Sequence, residues 1–155
     1  ISNFQEYYKL VEYFSQYSKK RMMLSMGVNN LIDIFDEKYY RHLSGGILEA
    51  FGKLFHKDLK VYLYPMLQDD STLITSENLK VHPRMKELYK FFKYTGKLVD
   101  IENYRPEILG IFSRTVLKMI ANGEEGWEPL LPSVVSNMIK EQKLFGFSEK
   151  EVETN

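Results

Sequence analysis

Leu59-Lys60-Val61-Tyr62-Leu63-Tyr64-Pro65 is the stretch on which the reading of the fold turns. Leu59, Val61 and Leu63 alternate with polar and amphipathic residues, the period-two pattern of a strand with one buried face. Downstream, Gln68-Asp69-Asp70 reads as a polar turn and Thr72-Leu73-Ile74-Thr75 as a returning strand. The economical expectation is therefore an antiparallel β-hairpin with a longish loop. Asn78-Leu79-Lys80-Val81 and Lys97-Leu98-Val99-Asp100-Ile101 are two further short strand candidates. Two strands alone are marginal, so the hairpin must lean on helices.

Helical patterning surrounds it. Phe4, Tyr7, Val11, Phe14 and Ser18 follow a four-three alternation that predicts one long helix from Asn3 to about Met26. Ser2 or Asn3 would cap it and Gly27 would end it. Met22, Met23, Leu24 and Met26 read as adaptable core filling. Val28, Leu31, Ile32 and Phe35 give a second helix up to Tyr39, with Asp33, Asp36 and Glu37 on a solvated outer side. Ile47, Leu48, Phe51, Leu54 and Phe55 form the stripe of a third, entered through Tyr39-Tyr40-Arg41-His42-Leu43-Ser44-Gly45-Gly46. Pro83 opens a fourth, running to Tyr94 and stopped by Gly96. Pro106 opens a fifth, striped by Ile108, Phe112, Val116, Met119 and Ile120 and stopped at Asn122-Gly123. Ser133 to Lys143 makes the sixth. The expected fold is mainly α, about six helices around a core with one small antiparallel β-hairpin, or α+β if more strands pair. Residues 1–147 are read as one helical domain and 148–155 as a charged, frayed tail.

Bulk properties limit the function classes. A chain of 155 residues, 44% hydrophobic and 27% charged, belongs with folded proteins. Lys+Arg and Asp+Glu are both 21, which argues against sequence-independent binding of nucleic acid or of an anionic membrane. The absence of cysteine excludes thiolate chemistry and a disulfide framework, and fits a reducing, cytoplasmic setting. No apolar run reaches the length of a membrane span. A start at Ile1 instead of Met is what an excised domain would show.

Catalytic signatures are thin. His42, His56 and His82 stand far apart without metal-ligand spacing, so no metal or cofactor is expected. No Gly-x-Ser-x-Gly elbow occurs. The one chemically suggestive place is Ser44-Gly45-Gly46, whose amides at a helix start could meet a phosphate or carboxylate with help from Arg41 and His42. The P-loop lysine and glycine spacing are missing, and the bland alternative is Ser44 as a cap with glycines for close packing. Trp127, between acidic residues and prolines, is a candidate partner anchor or a core plug, and Arg114 could reach a carboxylate or phosphate.

Gly45-Gly46-Ile47-Leu48-Glu49-Ala50-Phe51-Gly52, Asp58 to Pro65, Ile111-Phe112-Ser113-Arg114 and Leu144-Phe145-Gly146-Phe147 together resemble a region of large bacterial proteins labelled nicotinate- or nicotinamide-nucleotide adenylyltransferase-like. The resemblance runs from about Leu31 to Phe147. Such enzymes use a His-x-Gly-His turn on a Rossmann-like parallel sheet, and the sequence reads as having neither. It therefore implies a helical accessory region beside a catalytic unit, with no catalytic residue carried over. The functional expectation is a non-enzymatic domain of a larger bacterial protein, serving protein contact or oligomer assembly. The alternative is a small-molecule or nucleotide/phosphate-binding domain, catalytic or not, built on the Ser-Gly-Gly start. In that case Arg41 or His42 should face the same space as Tyr62 or Tyr64.

Overall fold

The computed structural model describes residues 4–68 and 72–148. The expected capping by Ser2 or Asn3, the Asp69-Asp70 turn and the tail beyond Ser148 lie outside the described residues. The chain divides into two compact units, one reaching Tyr104 and the other beginning at Arg105.

The first unit runs α1 (Tyr7–Tyr17), β1 (Met23–Gly27), α2 (Val28–Ile34), α3 (Gly46–Leu54), β2 (Lys60–Tyr64), β3 (Met66–Gln68), β4 (Thr72–Ile74), α4 (Lys86–Tyr94) and β5 (Leu98–Asp100). Its centre is a three-stranded parallel sheet in the order β1-β2-β5. β2 pairs with β1 from Met23↔Lys60 to Gly27↔Tyr64, and with β5 from Val61↔Leu98 to Leu63↔Asp100. A separate antiparallel pair joins β3 to β4, with Leu67 opposite Leu73. This α/β mix overturns the expectation of a mainly-α domain with one hairpin. Lys60–Tyr64 is a strand with Val61 and Leu63 buried, as its alternation requires, and Leu59 just before it is buried too. Its partners are not Thr72–Thr75 but two segments far away in sequence. The hairpin that does form starts after Pro65, with Met66–Gln68 as its first strand.

The long helix expected from Asn3 to Met26 ends at Tyr17, where Ser18 adopts extended backbone. The four residues Ser18-Lys19-Lys20-Arg21 offer no apolar side chain to continue the stripe. Met23–Gly27 then pairs along the edge of β2, with Met26 buried and Met23 exposed. Phe14, read as part of the buried stripe, is 50% exposed, while Tyr8 and Val11 turn inward. The second helix stops at Ile34, six residues short of a 3-10 turn's end at Tyr40. One continuous core draws on every layer: Val11 from α1, Leu31 from α2, Phe51 from α3, Val61 and Leu63 from β2, and Phe92 from α4. Phe51 is its hub, meeting the rings of Phe35, Phe55 and Phe92 at 4.9, 5.8 and 5.1 Å.

The second unit holds α5 (Ser113–Ala121) and α6 (Ser133–Gln142) with short 3-10 turns. Its first turn at Pro106–Ile108 is not continued into a helix until Ser113, and Gly110 lies between. The stop at Asn122-Gly123 is as expected: Gly123 has φ +66°, and the Gly123 and Glu124 amides donate to the Ile120 and Met119 carbonyls. Val116, Ile120, Trp127 and Ile139 form a core of its own. No described helix is long and apolar enough to cross a membrane.

Candidate functional site

The Ser44-Gly45-Gly46 turn enters α3 through a bend in which the Leu43 amide donates to the Tyr40 carbonyl and the Gly46 amide to the Leu43 carbonyl, both at 3.0 Å. Gly46 has φ +56°, which only glycine adopts without strain. Gly45, not Ser44, is the capping residue, and its amide donates to Glu49 Oε2 at 2.9 Å. The Gly45 amide and Lys53, 3.0 Å from the other oxygen, hold the Glu49 carboxyl below the usual carboxylate range. The donor that sequence reading offered to an outside anion is thus engaged by a carboxylate one helical turn away.

Arg41 and His42 face different neighbours. His42 Nε2 lies 2.9 Å from the Tyr8 hydroxyl and 3.9 Å from Glu6 Oε1, which ties the turn to α1. Arg41 instead lines a cavity of about 410 Å3 between the Asp36–Arg41 turn and the Val81–Met85 turn. Buried Phe35 and Met85 contribute apolar wall, with Ile32 and Val81 beside them. Its polar wall carries Arg41, Arg84 and His82, together with Lys38, Asp36 and Glu37. Tyr62 and Tyr64 line no part of it, and Tyr64 packs on Tyr104 with ring centroids 6.3 Å apart. The expected convergence of Arg41 or His42 with those tyrosines is not what the chain builds.

The second wall is positioned from the sheet. Asp100, at the end of β5, accepts from the Ser76 amide at 2.9 Å and the Ser76 hydroxyl at 2.8 Å. Tyr89 of α4 donates its hydroxyl to the Ser76 carbonyl at 2.6 Å. Burial, then the nearby Asp100 charge, pushes the Tyr89 phenol up from its ordinary value. Asn78 closes the turn by accepting from the Thr75 amide and donating to the Leu73 carbonyl, both at 2.9 Å. The segment so pinned leads directly into His82-Pro83-Arg84, where His82 Nδ1 accepts from the Arg84 amide at 3.4 Å. In the sequence, Pro83 marks only a helix start and His82 only a lone histidine, and neither singles out Arg84. A His-Pro-Arg step opening a helix was the available signal.

A different surface stands out on α1. Tyr13 meets the rings of Phe14 and Tyr17 on the same helix, and of Phe4 just before it, at 5.5, 5.1 and 5.4 Å, while Phe4, Tyr13, Phe14 and Tyr17 remain 41%, 41%, 50% and 72% exposed. A hydrogen bond to Tyr17 raises the Tyr13 phenol above its ordinary value. In the second unit Trp127 is 3% exposed, its ring 5.8 Å from Phe147 and under the Lys140 ammonium at 5.6 Å, which is the core-plug arrangement. Arg114 is exposed on the first turn of α5. Among the described residues, no three His, Cys, Asp or Glu side chains converge as metal ligands would. No protein-family model, curated protein or solved structure matches the chain.

Proposed function

We propose that the chain is a non-enzymatic protein-contact domain of a larger bacterial protein, and that its contact surface is the outer face of α1, which seats a second copy. The observation that carries this reading is the exposed ladder Phe4-Tyr13-Phe14-Tyr17. Tyrosine and phenylalanine supply large contact areas with few rotatable bonds, and interface energy concentrates on such residues. The ladder is pre-formed, because the rings already brace one another, so little side-chain freedom is lost on contact. Zero net charge removes the long-range repulsion that keeps copies of a strongly charged chain apart.

Sedimentation equilibrium tests it. The chain self-associates at micromolar concentration, and the pair Phe14→Ser with Tyr17→Ser weakens association by about tenfold or more. Both side chains are half or more exposed, so the double variant keeps its unfolding midpoint. A chain that stays monomeric into the millimolar range, or associates equally well with both rings removed, overturns the reading.

A further inference from the structure

We propose that the cavity between Arg41 and Arg84 binds a small organic phosphate monoester. The phosphate would sit between the two guanidinium groups, with the organic body against Phe35 and Met85. This does not rest on the α1 contact surface, which uses different residues.

The charges on the cavity wall support it. Asp36 is taken by Lys38, whose ammonium lies 2.6 Å from Asp36 Oδ2, and the Lys38 amide donates to Asp36 Oδ1 at 3.0 Å. Arg41 contributes only a weaker, longer-range pull on that carboxylate, and Asp36 sits below its usual range chiefly through Lys38. Neither the Arg41 nor the Arg84 guanidinium forms an ion pair among the described residues. With Asp36 and Lys38 cancelling, Arg41 and Arg84 face Glu37 alone, so the wall is net positive. His82 adds a donor. Its Nδ1 accepts from the Arg84 amide, which in the neutral ring leaves the proton on Nε2.

Ligand class follows from donor geometry. Each guanidinium presents parallel N–H pairs, so one carboxylate satisfies one fork, whereas a phosphate monoester has three terminal oxygens to share between two. The volume of about 410 Å3 is that of a small-molecule site, more than inorganic phosphate needs. Its apolar wall gives the surplus space to an organic group.

The test is a two-dimensional amide NMR titration of the full chain with phenyl phosphate, inorganic phosphate and phenylacetate. Phenyl phosphate shifts amides in residues 35–41 and 81–85 saturably, with an affinity about tenfold or more above the other two. Arg41→Ala and Arg84→Ala each weaken it by about tenfold or more, while Lys90→Ala, on α4 and no part of the cavity lining, changes nothing. Both arginines are exposed, and an unchanged amide spectrum of each variant without ligand shows that the fold is intact. Phe14→Ser with Tyr17→Ser leaves the titration unaltered, which separates this site from the contact surface. Absence of saturable shifts, equal affinity for phenylacetate, shifts centred on Gly45, or equal losses in Lys90→Ala and the arginine variants each overturn the assignment.

Discussion

Tyr89 shows how one side chain couples stability to the cavity wall. Its ring is buried in the core beside Phe35, 5.3 Å away, and its hydroxyl is the donor that holds the Ser76 carbonyl. Phenylalanine at this position would keep the packing and leave that carbonyl without the hydroxyl donor, a cost of about 1–2 kcal/mol. The phenol's proton is also held more tightly folded than unfolded, since its folded value is raised above the ordinary 10.0. A raised folded value means that the contribution is fully present below about pH 10 and is lost as pH climbs towards the folded value. Tyr40, whose hydroxyl donates to the Ile34 carbonyl at 2.9 Å, is raised by burial in the same sense. Urea unfolding should therefore show a stable plateau through neutral pH and a decline above about pH 10. Tyr89→Phe should lower the plateau and flatten the decline without removing it, because Tyr40 still titrates. An alkaline decline as steep in Tyr89→Phe as in the parent would show that Tyr89 does not carry it.

At the scale of elements, β2 shows both what the sequence made legible and what it hid. Leu59, Val61 and Leu63 announced a strand with one buried face, and all three are buried. A central parallel strand covered on both faces reads as a continuous apolar run, whereas alternation is the habit of antiparallel sheets. β2 is central and parallel yet leaves Lys60, Tyr62 and Tyr64 half-buried, so its alternation pointed to the wrong kind of partner. The true partners were obscured for local reasons. Met23–Gly27 is methionine-rich, lacks β-branched residues and follows a helix, so it read as that helix's last turns. Lys97–Ile101 was legible as a short strand, but nothing local gives a strand its neighbour. The site was less legible still. Arg41 stands out in the sequence for its place four residues before Gly45, although it lines a cavity completed by Arg84, on a segment pinned by the Asp100–Ser76 bonds. The Gly45 amide reads as open to a ligand, yet Glu49, four residues on, reaches back to it. Pairing on both edges makes a direct prediction for native-state hydrogen exchange. β2 amides should be the slowest of the sheet, with β1, bonded along one edge only, opening at lower free energy. Equal protection in β1 and β2 would mean that the sheet opens only as a whole.

For the whole molecule, aromatic residues are divided between the two units in a way that makes each unit's stability separately readable. All 11 tyrosines lie between Tyr7 and Tyr104, in the first unit, while the single tryptophan, Trp127, is in the second. Trp127 is buried among Val116, Ile120 and Ile139, so unfolding of the second unit wets the indole and shifts its emission. Unfolding of the first unit exposes Tyr8, Tyr40 and Tyr89 and changes tyrosine absorbance. The two cores are unequal. The first draws on three strands and four helices, whereas the second rests on two helices within roughly fifty residues, a size at which a domain buries a smaller fraction of its surface than larger domains do and is marginally stable. Tryptophan emission should therefore change at lower urea than tyrosine absorbance, and far-ultraviolet dichroism should show both steps, the departure from two-state behaviour expected of separately cored units. Ile120→Ala, which opens a cavity at a side chain 1% exposed, should move the tryptophan transition alone by about 2–4 kcal/mol. Leu63→Ala should move the tyrosine transition by a similar amount and leave tryptophan where it was. If both probes shift together in either variant, the chain unfolds as one cooperative body and the two cores do not mark separate folding units.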